Sequence, residues 1–314
     1  MHRIAILCLC LFVAAPVALV AAPTPKDARF SFVALGDTAY GGERDYPAYR
    51  ALIAKINAAQ PAFTIHVGDV WGMIDCHDQR IEQIGDLFNS YSGAVFYTPG
   101  DNDWVDCRQR SMGNYDPGER LDKLRKVFFA KDRSLGAKPL ELARESAISP
   151  YQMYAENVRW VYQGVVFFTL NVPGANNNYD VENTVALMEA YNRTQANIAW
   201  IRDSFRVAQS QRSPAVVLAL HADMFKPEVR NFYQPLLDEI RIASDRFGKP
   251  VLLIHGDSHR FMVDRPFLTR TSETEPPKHA NLTRLQVFGA PELKAVRVTV
   301  NTSRPWVFGF EPLY

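Results

Sequence analysis

The sequence predicts an α/β fold with an α+β-like C-terminal part. Apolar runs alternate with segments of helical periodicity in the first hundred residues, and several strand-like runs follow residue 260. In addition, five of the apolar runs lead directly into an Asp or His. The length of 314 residues and the hydrophobic fraction of 47% are those of a globular chain that can bury a large core.

The N-terminus has the three regions of a secretory signal peptide. Residues 1–3 carry positive charge, residues 4–20 form an apolar run, and two alanines follow. An uncleaved membrane anchor is the alternative, but the run is near the lower length limit for spanning a bilayer. We expect residues 1–22 to be removed and residues 23–314 to form one domain. The mature protein is then secreted or periplasmic, without a permanent membrane anchor.

The first hundred residues predict the order β-α-β-α-β. Apolar residues recur with helical spacing over residues 45–59 and 79–91, between a first strand with its ligand-bearing end at 29–37 and apolar strands at 63–67 and 94–96. Consecutive strands joined by helices are parallel with right-handed crossovers. We therefore expect these three strands to be parallel neighbours.

The remaining elements follow in a less regular order. Residues 151–162 and 165–171 predict a hairpin that turns at Gln163 and Gly164. Helices are predicted at residues 119–129, 184–209 and 228–247, and strands at 216–220 and 251–255. A polar segment spans 131–150, a Gly/Asn-rich loop spans 173–179, and a surface loop spans 270–279. Antiparallel strands are predicted at residues 261–263, 285–288, 296–300 and 307–310.

Polar residues follow the five apolar strands where each strand ends. Such strand ends are where ligands bind in open α/β sheets. Carboxylates and imidazoles without thiolates suit divalent ions, and a pair of ions needs about this many groups. Each residue alone is more simply a turn or packing residue, but together they favour a metal site. The residues are Asp37, Asp69, Asp101, His221, Asp257 and His259.

These motifs resemble those of the calcineurin-like metallophosphoesterases, which include purple acid phosphatases, nucleotidases and cyclic-nucleotide phosphodiesterases. The family pattern appears in order as Gly-Asp-Thr-Ala at 36–39, Gly-Asp at 68–69, Gly-Asp-Asn-Asp at 100–103, a histidine at 221 and Gly-Asp-Ser-His at 256–259. The resemblance covers residues 29 to about 259. It implies a metallophosphoesterase-like fold, in which two mixed β-sheets pack as a sandwich flanked by helices.

The resemblance also implies two divalent metal ions, whose identity among Mn, Fe, Mg, Ca and Zn it leaves open. Asp69 would bridge the ions. Four carboxylates against two imidazoles favour oxygen-preferring ions over a zinc pair. The first ion would be bound by Asp37 and His259, and the second by Asp101, His221 and Asp257.

Several positions depart from the family pattern. Ala39 replaces a histidine ligand, Asp101 replaces an asparagine, and Asp257 replaces a histidine. Asn102 stands where the family has a histidine that assists the leaving group. Gly72 stands where purple acid phosphatases have a tyrosine ligand, so the resemblance does not predict an iron-tyrosinate chromophore.

We expect the catalytic residues to be Asn102, Asp103 and His221. An amide can orient a group or donate a hydrogen bond, but it cannot shuttle a proton. Asp103 is also open to interpretation as a residue that supports a ligand. Other histidines could substitute for the missing one, although each is more simply a packed, loop or supporting residue: His66, His77 and His255.

Three functions are compatible with the sequence. The first is a secreted metal-dependent phosphoesterase that hydrolyses a phosphomonoester or phosphodiester by metal-activated water. The alternative is a degenerate metallophosphoesterase-fold protein with a binding role, and the third is a hydrolase of another substrate class. The expected partner is a small phosphoester substrate. A net charge of +1 with scattered Lys and Arg gives no nucleic-acid-binding patch, and the oligomeric state stays open.

Two cysteines remain once the signal peptide is removed. In an oxidising compartment Cys76 and Cys107 are expected to form a disulfide, although free thiols or intermolecular pairing are alternatives. Cys76 follows Asp69 by seven residues, and Cys107 follows Asp101 by six. The bond would therefore hold two ligand-bearing loops together.

Overall fold

The computed structural model describes residues 27–270 and 277–314. The predicted signal peptide and residues 271–276 of the predicted surface loop lie outside the described residues. The described strands are β1 (Arg29–Leu35), β2 (Phe63–His66), β3 (Ala94–Tyr97), β4 (Ala143–Arg144), β5 (Val158–Tyr162), β6 (Val165–Thr169), β7 (Val216–Ala219), β8 (Val251–His255), β9 (Met262–Asp264), β10 (Leu282–Gln286), β11 (Ala295–Asn301) and β12 (Phe308–Leu313). The described α-helices are α1 (Tyr46–Ala59), α2 (Asp78–Asn89), α3 (Pro117–Phe128), α4 (Thr184–Ser210) and α5 (Arg230–Phe247).

The strands form two mixed sheets, as the resemblance implies. The first sheet has the order β12-β11-β1-β2-β3, and β1, β2 and β3 run parallel. The second has the order β4-β5-β6-β7-β8-β10-β9, in which β6, β7, β8 and β10 run parallel. The hairpin of β5 and β6 turns where the sequence predicts.

Side chains along each strand point alternately to the two faces of its sheet. The buried apolar residues therefore form one layer between the sheets and one layer on the outer face of each sheet. Phe63 of β2 and Phe167 of β6 meet between the sheets, with ring centroids 5.0 Å apart. On the outer face of the first sheet, Val33 belongs to a buried cluster shared with α1, α2 and α3. On the outer face of the second sheet, Val166 belongs to a cluster shared with α4 and α5. The two sheets therefore pack as a sandwich flanked by helices.

Two predictions about strands are wrong. The strand predicted from residue 151 begins only at Val158, because the preceding segment forms turns in which the backbone nitrogens of Tyr151 and Tyr154 donate to the carbonyls of Ile148 and Tyr151. The strand β10 is parallel to β8 rather than antiparallel. Leu282 of β10 packs under the helices and Leu285 packs between the sheets, so this strand is covered on both faces as parallel strands usually are.

Within residues 27–270 and 277–314, none of the helices combines the length and the apolar character needed to cross a bilayer.

Candidate metal centre

The predicted ligands lie together at one edge of the sandwich. Ligand atoms of Asp37, Asp69 and His221 lie within 4.8 Å of one another, and so do those of Asp101, His221 and Asp257. The two groups share His221, which places it at the middle of the cluster. Strands β1, β2 and β3 of one sheet and strands β7 and β8 of the other lead to the candidate ligands Asp37, Asp69, Asp101, His221, Asp257 and His259.

Four of these residues have a left-handed backbone. The φ angle is 54° at Asp37, 53° at Asp69, 71° at Asp257 and 54° at His259. This region costs a residue with a side chain about 1–2 kcal/mol, although Asp tolerates it better than most. The same turn geometry thus recurs after β1, β2 and β8 and aims the side chains at a common point.

The glycines of the motifs allow these turns to touch. A Cβ added at Gly68, whose φ is 91°, would lie 2.3 Å from the backbone nitrogen of Gly100. A Cβ at Gly100 would lie 2.1 Å from Asp69 Oδ1, and one at Gly256 would lie 2.2 Å from Asp37 Oδ2. The Gly-Asp pairs therefore bring the turns close enough for their carboxylates to share a site.

The ring of His221 is oriented by a backbone carbonyl. Its Nδ1 lies 2.7 Å from the carbonyl oxygen of Val67 and donates to it, so that in the neutral form of the ring the lone pair of Nε2 is directed into the cluster. Nε2 lies 2.9 Å from Asp101 Oδ1 and 3.5 Å from Asp69 Oδ1. A lone pair facing two carboxylates is repulsive unless a proton or a cation lies between them.

His259 repeats this arrangement on the other side of the cluster. Its Nδ1 lies 2.8 Å from the carbonyl oxygen of Ala290, and its Nε2 lies 3.4 Å from Asp37 Oδ1. The hydroxyl of Tyr40 lies 2.8 Å from the same Nε2 and 2.6 Å from Asp69 Oδ2. Sequence reasoning missed Tyr40, whose only signal is its place three residues after Asp37.

The electrostatics of the cluster call for additional positive charge. Burial raises the pKa of Asp37 to about 7 and holds the pKa of Asp69 well above its ordinary value. Burial lowers the pKa of His221, but Asp69 and the other carboxylates raise it more, so the pKa is well above the ordinary value. Within the described part of the chain, Asp37 Oδ2 is buried without a hydrogen-bond partner, and buried His221 Nε2 faces the carboxylate oxygens of Asp101 and Asp69. Cations bound here would neutralise the carboxylates and occupy both atoms, so the donor set fits divalent ions.

Asp103 lies beside the cluster and supports it. One of its oxygens accepts hydrogen bonds from the backbone of Asp69 at 2.9 Å, the backbone of Gly100 at 2.8 Å and the hydroxyl of Tyr97 at 2.7 Å. The other oxygen accepts from the backbone of Val70 at 2.9 Å. This buried carboxylate is fully engaged with the two ligand-bearing turns, and its contacts are those of a residue that positions Asp69.

Asn102 faces the cluster from the turn after β3. Its backbone nitrogen donates to Asp69 Oδ1 at 3.0 Å, and its Nδ2 donates to the carbonyl oxygen of Trp71 at 3.2 Å. Nδ2 also lies 3.4 Å from the hydroxyl of Tyr40. The amide therefore sits within reach of the proposed site, whereas its role in a reaction stays a prediction.

The other histidines occupy places that do not need a metal. His77 caps the N-terminus of α2, where its side chain accepts from the backbone of Arg80. Burial lowers the pKa of His66 to about 3 and that of His255 to about 4, so both are neutral at ordinary pH.

The predicted disulfide between Cys76 and Cys107 is present and joins the loops that follow β2 and β3. Its sulfur atoms lie 3.7 and 3.5 Å from the carbonyl oxygen of Asn102. The crosslink therefore contacts the turn that carries Asn102 and Asp103.

Comparison with known proteins supports the fold. No protein-family model matches the sequence, and no curated protein matches it. A solved structure of GAP50, the anchor in the inner membrane complex of Plasmodium, aligns over 91% of this chain and 88% of that chain at 10% identity, but its TM-score of 0.45 is too low to bear on the fold. A crystal structure of a dimetal phosphatase from Danio rerio superposes with a TM-score of 0.55 at 11% identity, over 90% of this chain and 98% of that chain. This chain therefore has a mixed α/β, metallophosphoesterase-like fold.

Proposed function

We propose that this protein is a metal-dependent phosphoesterase that binds two divalent ions and hydrolyses a phosphomonoester or phosphodiester. The observation that carries the proposal is the matched geometry of His221 and His259. Each ring donates Nδ1–H to a backbone carbonyl, and each directs Nε2 at carboxylate oxygens. Two such arrangements side by side suit two cations, and the fold shared with a dimetal phosphatase supports this use of the cluster.

The proposed ligand assignment follows the positions of the side chains. Asp69 lies between the groups, where its Oδ1 faces His221 and its Oδ2 faces Tyr40. It would bridge the ions. Asp37 and His259 would complete the first site, and Asp101, His221 and Asp257 would complete the second. With four carboxylates among six ligands, Mn²⁺, Mg²⁺, Ca²⁺ or iron is preferred over a zinc pair.

Bound divalent ions supply Lewis-acid stabilisation of the charge that develops at phosphorus, and they lower the pKa of a water. The chain contributes groups that bind and orient the substrate. Nζ of Lys226 lies 3.6 Å from Asp257 Oδ1 and is partly exposed, so it can approach a phosphate oxygen. Asn102 can donate a hydrogen bond but no proton, and we therefore expect slower turnover than in family members with a histidine at this position.

A binding role without catalysis is the second candidate. Ala39 removes one ligand and Asn102 removes the proton donor, which together favour a degenerate member of the fold class. The third candidate, a hydrolase of another substrate class, uses the same metal centre. The N-terminal sequence and the disulfide support secretion or a periplasmic location in each case.

Elemental analysis paired with hydrolysis assays tests the proposal. Purified protein loaded with Mn²⁺ should hold two ions per chain and should hydrolyse nitrophenyl phosphate monoesters or diesters. The variant His221→Asn should lose both properties. The control His279→Asn alters a histidine that pairs with Asp245 away from the centre and should retain them. Stoichiometric metal without hydrolysis across a broad phosphoester panel would support the binding role, and protein that binds no metal would refute the centre itself.

A further inference from the structure

The hydroxyl of Tyr40 joins two groups that both require a donor. Asp69 Oδ2 is a carboxylate oxygen 2.6 Å away, and His259 Nε2 lies 2.8 Å away. The Nδ1–H of His259 donates to the carbonyl of Ala290, so neutral Nε2 is an acceptor. A hydroxyl carries one hydrogen and can satisfy one of these acceptors. The third contact is Asn102 Nδ2, which donates to the hydroxyl. Either Asp69 Oδ2 or His259 Nε2 therefore receives no hydrogen bond from this hydroxyl and could instead bind a cation.

The separations in this group match those around a metal ion. In an octahedral site with bonds of about 2.1 Å, neighbouring ligand atoms lie about 3.0 Å apart. The Tyr40 hydroxyl lies 2.6 Å from Asp69 Oδ2 and 2.8 Å from His259 Nε2. His259 Nε2 in turn lies 3.4 Å from Asp37 Oδ1. The distances from the Tyr40 oxygen to Asp69 Oδ2 and His259 Nε2 are therefore similar to those expected between neighbouring ligands of one ion.

The neighbouring loop is shaped to hold the ring in this place. A Cβ added at Gly72 would lie 2.8 Å from Cδ1 of Tyr40, so a larger residue at position 72 would displace the ring. The backbone nitrogen of Gly72 also donates to the carbonyl of Tyr40 at 3.1 Å. The ring of His259 meets the tyrosine ring edge-on, with centroids 4.8 Å apart. The hydroxyl is thus aimed by contacts on two sides.

We propose that Tyr40 supplies its phenolic oxygen as a ligand of the first metal ion, in the coordination position that Ala39 leaves without an imidazole. The inference rests on the proposed two-metal centre and adds a ligand to it. The phenolic proton is released to solvent when the ion binds, as happens for other acidic ligands. Ferric iron can serve as a probe of this first site, because phenolate and carboxylate are hard anionic ligands that bind it well.

Spectroscopy of the ferric protein tests the inference independently of activity. Phenolate bound to ferric iron absorbs visible light by charge transfer, whereas carboxylate and imidazole ligands leave ferric iron nearly colourless. The full-length protein loaded with ferric iron should be coloured, and resonance Raman excitation in that band should enhance tyrosine ring modes. Tyr40→Phe should abolish the band. The control Tyr46→Phe removes a hydroxyl that contacts Gln83 at 3.4 Å, and the band should persist.

Elemental analysis of each sample separates the possible results. Stoichiometric iron in a colourless wild-type protein, or a band that survives in Tyr40→Phe, overturns the inference while the two-metal centre stands. If the variant loses colour and iron together, the Raman modes of the wild-type protein decide: enhanced tyrosine modes support ligation, and their absence overturns it. Protein that binds neither ferric iron nor a divalent metal overturns both the centre and the inference. A coloured protein without phosphoesterase activity supports the ligand and refutes the proposed function.

Discussion

The carboxylate of Asp103 accepts the backbone N–H of Asp69 at 2.9 Å, so the turn after β3 fixes the backbone of the central candidate ligand on the turn after β2. The same oxygen accepts the backbone N–H of Gly100. Both turns are therefore held by a single buried group. Because the contact is to the backbone of Asp69, it sets where that side chain can point.

Asp103→Asn should lower both stability and metal affinity. The substituted amide places an NH₂ group among donors that now share a carboxylate, and hydrogen bonds to a charged group contribute about 1.5–3 kcal/mol each. We expect the free energy of unfolding to fall by about 3 kcal/mol in urea denaturation, with weaker Mn²⁺ binding. Asp86→Asn, which alters an exposed carboxylate on α2, should change neither quantity. Unchanged stability in Asp103→Asn would contradict the positioning role.

Asp69→Asn should remove metal binding while leaving the fold intact. The negative charge that we propose to bridge the two ions is lost, but the side-chain oxygen that remains can still accept the backbone N–H of Asn102. We expect phosphoester hydrolysis to fall more than about 100-fold, beyond the usual effect of altering a supporting residue. The comparison is Asp75→Asn, an exposed carboxylate in the same loop, which should behave as wild type. Wild-type metal content in Asp69→Asn would argue against a bridging carboxylate.

Loss of the disulfide should affect the centre as well as stability. The double variant Cys76→Ser, Cys107→Ser frees a loop with a sequence separation of 31, for which the chain-entropy model gives about 3–4 kcal/mol. The loops that carry Asp69 and Asp101 would then move more independently. Isothermal titration with Mn²⁺ should show weaker binding under conditions where circular dichroism shows a folded protein. Equal affinity in the two proteins would limit the crosslink to a role in global stability.

Glu145 gives the protein a pH-dependent stability. Its carboxylate is 0% exposed and accepts from Asn157 Nδ2 at 2.7 Å, and burial raises its pKa to about 8. The folded protein keeps this proton up to about pH 8, whereas the unfolded chain releases it near the ordinary value of 4.5. The contribution of Glu145 to the free energy of unfolding is therefore fully present below pH 4.5. This contribution decreases by up to about 1.4 kcal/mol per pH unit as the pH rises to about 8.

Glu145→Gln should flatten this dependence, because glutamine does not titrate and keeps an acceptor for Asn157. Urea denaturation at several values between pH 5 and pH 8 measures the effect as a difference between wild type and variant. Glu141→Gln, at an exposed residue paired with Arg133, serves as the control and should follow wild type. Parallel pH profiles for wild type and Glu145→Gln would show that Glu145 does not titrate in this range.

The parts of the fold that sequence reasoning predicts correctly are those with local patterns. The apolar stripe of α1 and the strand runs of β1, β2 and β3 are periodic in the sequence, and their alternation implies parallel pairing. The convergence of the strand-end residues follows from the same logic, because parallel strands in a sheet present the same ends. The residues at one strand end are close to those at another only because the strands are neighbours in the sheets. The order of the motifs along the chain was sufficient to predict that they lie together.

The parts that sequence reasoning misses depend on contacts between distant residues. Glu156, which lies just before β5, pairs with Arg125 of α3, and nothing in the local pattern of the sequence reveals that partner. Strand β10 runs parallel to β8 and antiparallel to β9, and it packs on both faces through Leu282 and Leu285. Tyr40 was missed because a tyrosine near a strand end is usually a packing residue, and only the three-dimensional position of Asp69 and His259 distinguishes it.

The ends of both sheets contribute to the candidate centre, and this has a consequence for the lifetime of the folded state. Asp37, Asp69 and Asp101 follow strands of one sheet, whereas His221 and Asp257 follow strands of the other. An ion bound by ligands from both sheets would link the two sheets at this edge. The sheets could then separate there only after the ion dissociates. The rate of unfolding, and with it the rate of proteolysis, would then depend on the concentration of free metal. Depletion of metal would thus shorten the lifetime of the folded protein as well as abolish the proposed hydrolysis.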